Sequence, residues 1–256
     1  MNYGFIAPQI VPEDYVTFGA TQLPKEILQE NMDWRGFLPV FEHQRKLRLE
    51  TQGCVSFGEN SACEMIYKRR YGTEPNYSDR KLAKDSETTP YGNNPKKVAE
   101  AARKKGLVKE ESWPWKSGIS WDEYYSPISW DVEQEGQKWL LEHTFGYEWV
   151  FTSGSPSMKH IRLKGALKYG PIGVSVHAWV KNNSGVYIKP EADNHWCVLV
   201  AYDEWDRPVI FDSYEEDLKT LEKNYDFGFA MRYHLLRNVE PPKPTYHCKL
   251  WNWIFE

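Results

Sequence analysis

The chain lacks any apolar run approaching the ~18 residues a membrane-spanning helix needs, so nothing in it reads as a bilayer segment. Cysteine is scarce, at Cys54, Cys63, Cys197 and Cys248. Four thiols this far apart do not make a disulfide scaffold, and free thiols in a reducing compartment are the simplest expectation. Neither CxxC nor HExxH occurs, so no metal or other cofactor is expected. A basic excess is also missing: the net charge is −4, which excludes a surface built to track nucleic acid or an anionic membrane. The opening "MNYGFIAPQIVPEDYV" has no charged segment followed by an apolar core, so secretion through a signal peptide is not expected. Aromatic residues, by contrast, are abundant at 15%, with 12 tryptophans. They are scattered rather than periodic, which points to core and lobe-interface packing. The 256 residues suffice for one large domain or two lobes.

Residues 1–33 are rich in Pro, Gly and isolated apolar residues and read as an extended arm. From Cys54 to about Arg70, Val55, Ala62, Met65 and Ile66 recur at helix-like spacing. Thr51 is placed to cap this helix and Gly72 to end it. A short helix is expected over Tyr77–Ser86 and a loop over "TTPYGNNP". A further helix opens on Asn94 and Pro95 and stops at Gly106. Two more helices are expected over Trp130–His143 and Ser155–Gly170. After Pro171 come short β-branched and aromatic runs, "IGVSVHAWV", "GVYIKP", "HWCVLVAYD", "PVIFDS" and "FAMRYHL". Helices first and strands afterwards mean an α+β fold. Beyond Arg237 stands a Pro-rich spacer and an aromatic terminus, residues 238–256.

Within "NHWCVLVAYDEWDRPVIFDSYE" two apolar runs flank the polar turn "DEWD". An antiparallel hairpin centred there would set Val200 opposite Arg207 and His195 opposite Asp212. The pair has two readings: a satisfied His–Asp contact at a sheet edge, or a base oriented by a carboxylate with a nucleophile beyond the ring. Cys54 supplies a candidate nucleophile. At a helix N-terminus the free N–H groups and the helix dipole favour thiolate and can also stabilise an oxyanion.

In order, spacing and local motif, the chain from about Asp33 to Leu236 resembles the papain-like (C1-type) cysteine peptidases. Roughly 140 residues separate Cys54 from His195, within the ~130–150 typical of that family. "DWRGFLPVFEHQ" resembles the approach to the family's oxyanion-hole glutamine, and "GLVKEESWPW" its Tyr-Pro-Tyr segment. "LKYGPIGVSV" and "NHWCVLVAY" resemble the strands before and at the histidine, and "IFDSY" the segment carrying the third member. The resemblance implies a two-lobe fold with a helical lobe over about 45–165, an antiparallel β-barrel-like lobe over about 166–237 and a cleft between them. It implies Cys54 as nucleophile, His195 as base and acid, Asp212 as its orienting partner and Gln44 as oxyanion donor, with Gln52 the alternative glutamine. Gly92 and Asn93 fall where the family lines its substrate cleft, and Tyr214 where a tryptophan usually shields the histidine pair. Cys63 is expected in the core and Cys197 buried near His195. The other histidines carry no motif.

The chain departs from the family around the nucleophile, where Gln52-Gly53 precedes Cys54 and Val55 follows it. It departs again in using Asp212 where the family has asparagine. The implied activity is hydrolysis of peptide or isopeptide bonds in a polypeptide substrate. Two alternatives stay open: a papain-fold structural or adaptor part of a phage particle, docking a protein partner through the aromatic tail, and a transglutaminase- or amidase-like Cys-His-Asp enzyme. The short arm and the lack of a signal suggest a bacteriophage or bacterial member, cytoplasmic or virion-associated.

Overall fold

The computed structural model describes residues 3–11 and 26–238. Residues 12–25 of the arm, and the tail from 239 with His247 and Cys248, lie outside the described residues.

Helix α1, Cys54–Tyr71, runs through the middle of the molecule. It is buried almost all round from Cys54 to Ile66, with Glu59, Asn60 and Glu64 enclosed alongside Val55, Phe57, Met65 and Ile66. A helix packed on all sides needs no polar face, which is why its sequence shows only a weak amphipathic pattern. Gly72 ends it in the left-handed conformation at φ 73°, donating to Lys68 O. Its start differs from expectation. Gly53, not Thr51, is the N-cap, and the Thr51 hydroxyl accepts from Gly53 N–H at 3.2 Å, two residues too early to cap.

Against α1 pack α2 (Asp79–Asp85) and α3 (Pro95–Lys105); the short α4 (Trp121–Tyr124) follows, α5 (Trp130–Glu142) lies on α3, and α6 (Pro156–Leu167) lies on the main sheet. Ser78 and Asn94 cap α2 and α3 through Lys81 N–H and Lys97 N–H. Two strands, β1 (Arg45–Lys46) and β2 (Leu49–Glu50), form a small hairpin just before α1.

The main sheet has six strands, all antiparallel, in the order β3-β10-β4-β7-β8-β9. They are β3 (His143–Phe151), β4 (Ile172–Val176), β7 (His195–Tyr202), β8 (Pro208–Phe211), β9 (Lys219–Thr220) and β10 (Ala230–Arg237). The pair β5 (Val180–Lys181) and β6 (Tyr187–Ile188) stands apart. Helices packed with a large antiparallel sheet make the α+β class. Strand β3 was not expected between the helices flanking it. It leaves α5 with no breaker, His143 being both the C-cap of the helix and the first strand residue. It forms the sheet edge opposite β9, so strands are not confined to the last third of the chain.

The hairpin register also differs. Val198 pairs with Phe211 and Leu199 with Ile210, then a bulge shifts the pairing to Ala201 with Val209 and Tyr202 with Pro208. The turn over Asp203–Arg207 is longer than expected. Asp203 Oδ1 accepts from the N–H groups of Trp205 and Arg207, and Asp206 takes a positive φ of 67°. His195 and Asp212 are therefore not directly opposed on the two backbones, and their side chains meet across the end of the hairpin.

Candidate functional site

The candidate site forms where the start of α1 abuts the start of β7. The fit is tight because residue 58 is glycine: a Cβ there would lie 2.9 Å from the Trp196 ring. Cys54 and His195 are both fully buried, and Cys54 accepts hydrogen bonds from the backbone N–H groups of Trp196 and Val55.

His195 is held from one side. Its Nε2 lies 2.6 Å from Asp212 Oδ1, and its Nδ1 is buried with no hydrogen-bond partner among the described residues. An ionised carboxylate can only accept, so Nε2 carries a proton and donates it to Asp212, which leaves Nδ1 as the ring nitrogen open to a further partner. Asp212 is itself buried. Burial works to raise its pKa, but the His195 and Lys219 charges outweigh it and hold the carboxyl below its ordinary range. Its second oxygen, Oδ2, accepts from Trp179 Nε1 at 3.0 Å and stands 3.0 Å from Lys219 Nζ. The Trp179 ring meets His195 edge-on, with centroids 5.6 Å apart, and Tyr214 tilts against the same ring at 5.3 Å. Shielding of the pair is thus shared between Tyr214, placed by the sequence, and Trp179, which no local motif marked.

Gln44 reaches this cluster and is tied to the strand end carrying Asp212. Its backbone N–H donates to Ser213 O and its Oε1 accepts from Ser213 Oγ. Its Nε2 donates to Glu50 Oε1 and Tyr214 Oη, each at 2.7 Å, with Tyr3 O at 3.4 Å. Glu50 also accepts from the Tyr214 hydroxyl and from Gln52 N–H. The carboxylate of β2 thus takes the side-chain donor of Gln44, which the sequence assigns to an oxyanion. Gln52, the alternative glutamine, has a positive φ of 56°, and its Oε1 is buried without a partner among the described residues.

The thiol does not have the low pKa that a helix N-terminus alone would give it. Burial pushes Cys54 well above its ordinary value; the bonds from Trp196 and Val55 oppose this, and the charges of Glu50 and Asp212 reinforce it. In this conformation the sulfur is a thiol.

What covers the site is residues 3–6. Tyr3 N–H donates to Asn194 O and Ile6 N–H to Asn93 O, while Asn93 N–H donates to Gly4 O. The segment thereby bridges the loop at Gly92–Asn93 and the residue preceding His195. Gly4 (φ 103°) and Gly92 (φ 102°) make the approach possible: a Cβ on Gly92 would sit 2.0 Å from Gly4 O, and one on Gly4 2.4 Å from Gln52 O. Phe5 stacks on Trp196 at 5.8 Å and Tyr3 meets the His195 ring edge-on at 5.9 Å. The sequence reading expects Gly92 and Asn93 to line a cleft but does not foresee the segment that lies against them, joined through the single bridge of Phe5 to Asn93. The clue available was "YGF", two aromatics around a glycine.

Cys63 and Cys197 are buried and free, as expected. No group of His, Cys, Asp and Glu able to hold a metal occurs among the described residues.

Comparison with known proteins agrees at the level of fold. No family model and no curated protein matches the sequence. Among solved structures, digestive procathepsin L 3 of Tenebrio molitor larval midgut aligns with TM-score 0.56 at 16% identity, over 82% of this chain and 71% of that one. The ragweed pollen cysteine protease Amb a 11 in its proform gives 0.58 at 18%, over 88% and 70%. Bromelain from Ananas comosus, solved with the E64 inhibitor, gives 0.54 at 16%, over 78% and 96%. The fold is that of the papain-like cysteine proteases. At these identities the likeness concerns backbone architecture.

Proposed function

We propose that the chain is a thiol peptidase-like hydrolase acting on peptide or isopeptide bonds, its peptidase domain spanning about residues 34–237. The observation that carries the reading is the buried His195: Nε2 fixed on Asp212, Nδ1 free, and Cys54 at the adjoining helix start. In the proposed cycle Nδ1 takes the Cys54 proton and the sulfur attacks the substrate carbonyl. The oxyanion is met by the N–H groups at the start of α1 and by Gln44 Nε2. The imidazolium then protonates the leaving amine, and a water activated by the same nitrogen hydrolyses the thioester. Asn93 binds substrate main chain with the N–H and C=O groups that now serve Gly4 and Ile6, and Gly92, lacking a Cβ, leaves room for it beside them.

The conformation described is the closed state of this cycle. Substrate needs the place of Tyr3–Ile6, and Gln44 has to exchange an acceptor before it can serve an oxyanion. Opening readmits water, removes the burial that keeps Cys54 protonated and lets the helix N-terminus favour thiolate. The full burial of Cys54 also favours the adaptor reading, in which the site never opens. Treatment with an epoxide or vinyl-sulfone probe, followed by mass mapping, separates the two. Labelling at Cys54, together with loss of peptide-library hydrolysis in Cys54→Ala and His195→Ala, is expected. An unlabelled Cys54, or hydrolysis surviving Cys54→Ala, sinks the peptidase reading. Incorporation of an amine into a glutamine substrate would move it to the transglutaminase class.

A further inference from the structure

Lys219 is among the most enclosed side chains of the protein, at 2% exposure, and no step of the proposed cycle uses it. It lies on β9, where it pairs with Ile210, two residues before Asp212. Its ammonium stands 3.0 Å from Asp212 Oδ2, the oxygen turned away from His195, and 3.0 Å from Glu215 Oε2 at the exposed rim. The Trp179 ring, 5.2 Å from Nζ, lies alongside this pair. Three groups therefore converge on one buried carboxylate: an imidazole on Oδ1, and an indole N–H and an ammonium on Oδ2.

A buried lysine is costly unless paired, and so is a buried aspartate. Burial acts to lower the Lys219 pKa, yet Asp212, with Glu215 behind it, raises it above the ordinary value, so both groups are charged. The other ionisable groups acting on Asp212 are Cys54 from α1, Cys197 from β7 and the phenol of Tyr214, and Glu50 adds a charge beside Cys54. Among these groups Lys219 is the permanent cation. A lone carboxylate against His195 would hold the imidazolium strongly and make it a poor proton donor to a leaving group. A carboxylate with an ammonium on its far oxygen still accepts from Nε2 but presents little net charge.

We infer that Lys219 is a positioning residue: it neutralises Asp212, so that the pair orients His195 as a neutral amide would. The inference explains how aspartate can stand where the resembling family carries asparagine. It rests on the reading of Cys54 and His195 as a nucleophile–base pair.

The test is the pH dependence of Cys54 alkylation by iodoacetamide, with the His195 ring ¹³C signal followed over the same range. Wild type is compared with Lys219→Met, Lys219→Arg, Asp212→Asn and the double variant Asp212→Asn/Lys219→Met. Lys219→Met should carry the alkaline midpoint of the His195-dependent step up by about one pH unit or more, the scale of one nearby charge. Lys219→Arg should hold it near wild type and Asp212→Asn should move it down. The double variant, which leaves no buried charge unpaired, should fold and return the midpoint to the wild-type position. A double variant displaced like either single variant overturns the inference. So does a Lys219→Met whose midpoints stay in place while only thermal stability falls. If wild-type Cys54 alkylates like an ordinary cysteine, the nucleophile–base reading fails. The ordering of the ring-signal midpoints still decides the charge compensation on its own.

Discussion

Phe5→Ala should unlock the site. The segment Tyr3–Ile6 is held by three main-chain hydrogen bonds, to Asn93 and Asn194. Each contributes a net ~0.5–1.5 kcal/mol, while ordering four backbones costs about 1–2 kcal/mol apiece. The main-chain bonds alone therefore do not hold the segment down, and side-chain burial decides. Phe5, at 5% exposure and stacked on Trp196, is the main anchor. Removing a packed phenylalanine ring costs about 3 kcal/mol or more. If Cys54 reacts only from the open state, that raises the open population, and hence the alkylation rate, roughly a hundredfold, until opening is no longer limiting. Mass-resolved iodoacetamide labelling measures this, with Cys63 and Cys197 as internal controls because both are buried in the core and neither belongs to the segment's contacts. Leu163→Ala, a fully buried α6 residue, is the comparison: it should expose all three thiols together through global unfolding. Phe5→Ala should accelerate Cys54 alone. An unchanged Cys54 rate, or a parallel rise in all three, would refute the assignment of residues 3–6 as the cover.

Three further outcomes are expected. Trp179→Phe removes the indole donor on Asp212 Oδ2, a hydrogen bond to a charged group, and should lower stability by about 1.5–3 kcal/mol in thermal or urea unfolding. Gly106→Ala should destabilise by about 2 kcal/mol or more, because its φ is 73° and a Cβ would meet Gly136 O at 2.0 Å. Gly165→Ala, in open space on α6, should stabilise by ~0.5–1 kcal/mol in the same assay. Stability should also fall as pH rises from about 4.5 to 8. Burial raises Glu64 from 4.5 to about 8 and Glu110 to about 7, so the folded chain holds protons that the unfolded chain has released. Melting temperatures across that range should decline, and Glu64→Gln should flatten the slope. A rising curve would contradict the burial argument.

Local signals made most elements legible. Asn94, Pro95 and Gly106 bound α3, Ser78 caps α2 and Gly72 closes α1, since each of these depends on a few adjacent residues. Strand β3 was invisible because nothing breaks the chain between it and α5. The hairpin register was misplaced because a bulge and the longer turn at Asp203–Arg207 cannot be read from alternation alone. His195 and Asp212 nevertheless meet, because their side chains span the offset.

By itself the sequence determined the α+β class and the order Gln44, Cys54, His195, Asp212 along the chain. These follow from spacing and from residue chemistry that survives small errors of register. The tertiary structure alone decided the charge state and accessibility of the site. Lys219 and Trp179 converge on one carboxylate from separate elements, Glu50 takes the hydrogens of Gln44, and Tyr3–Ile6 closes over Cys54. Burial and electrostatic coupling depend on distances between groups remote in sequence, which no local pattern encodes.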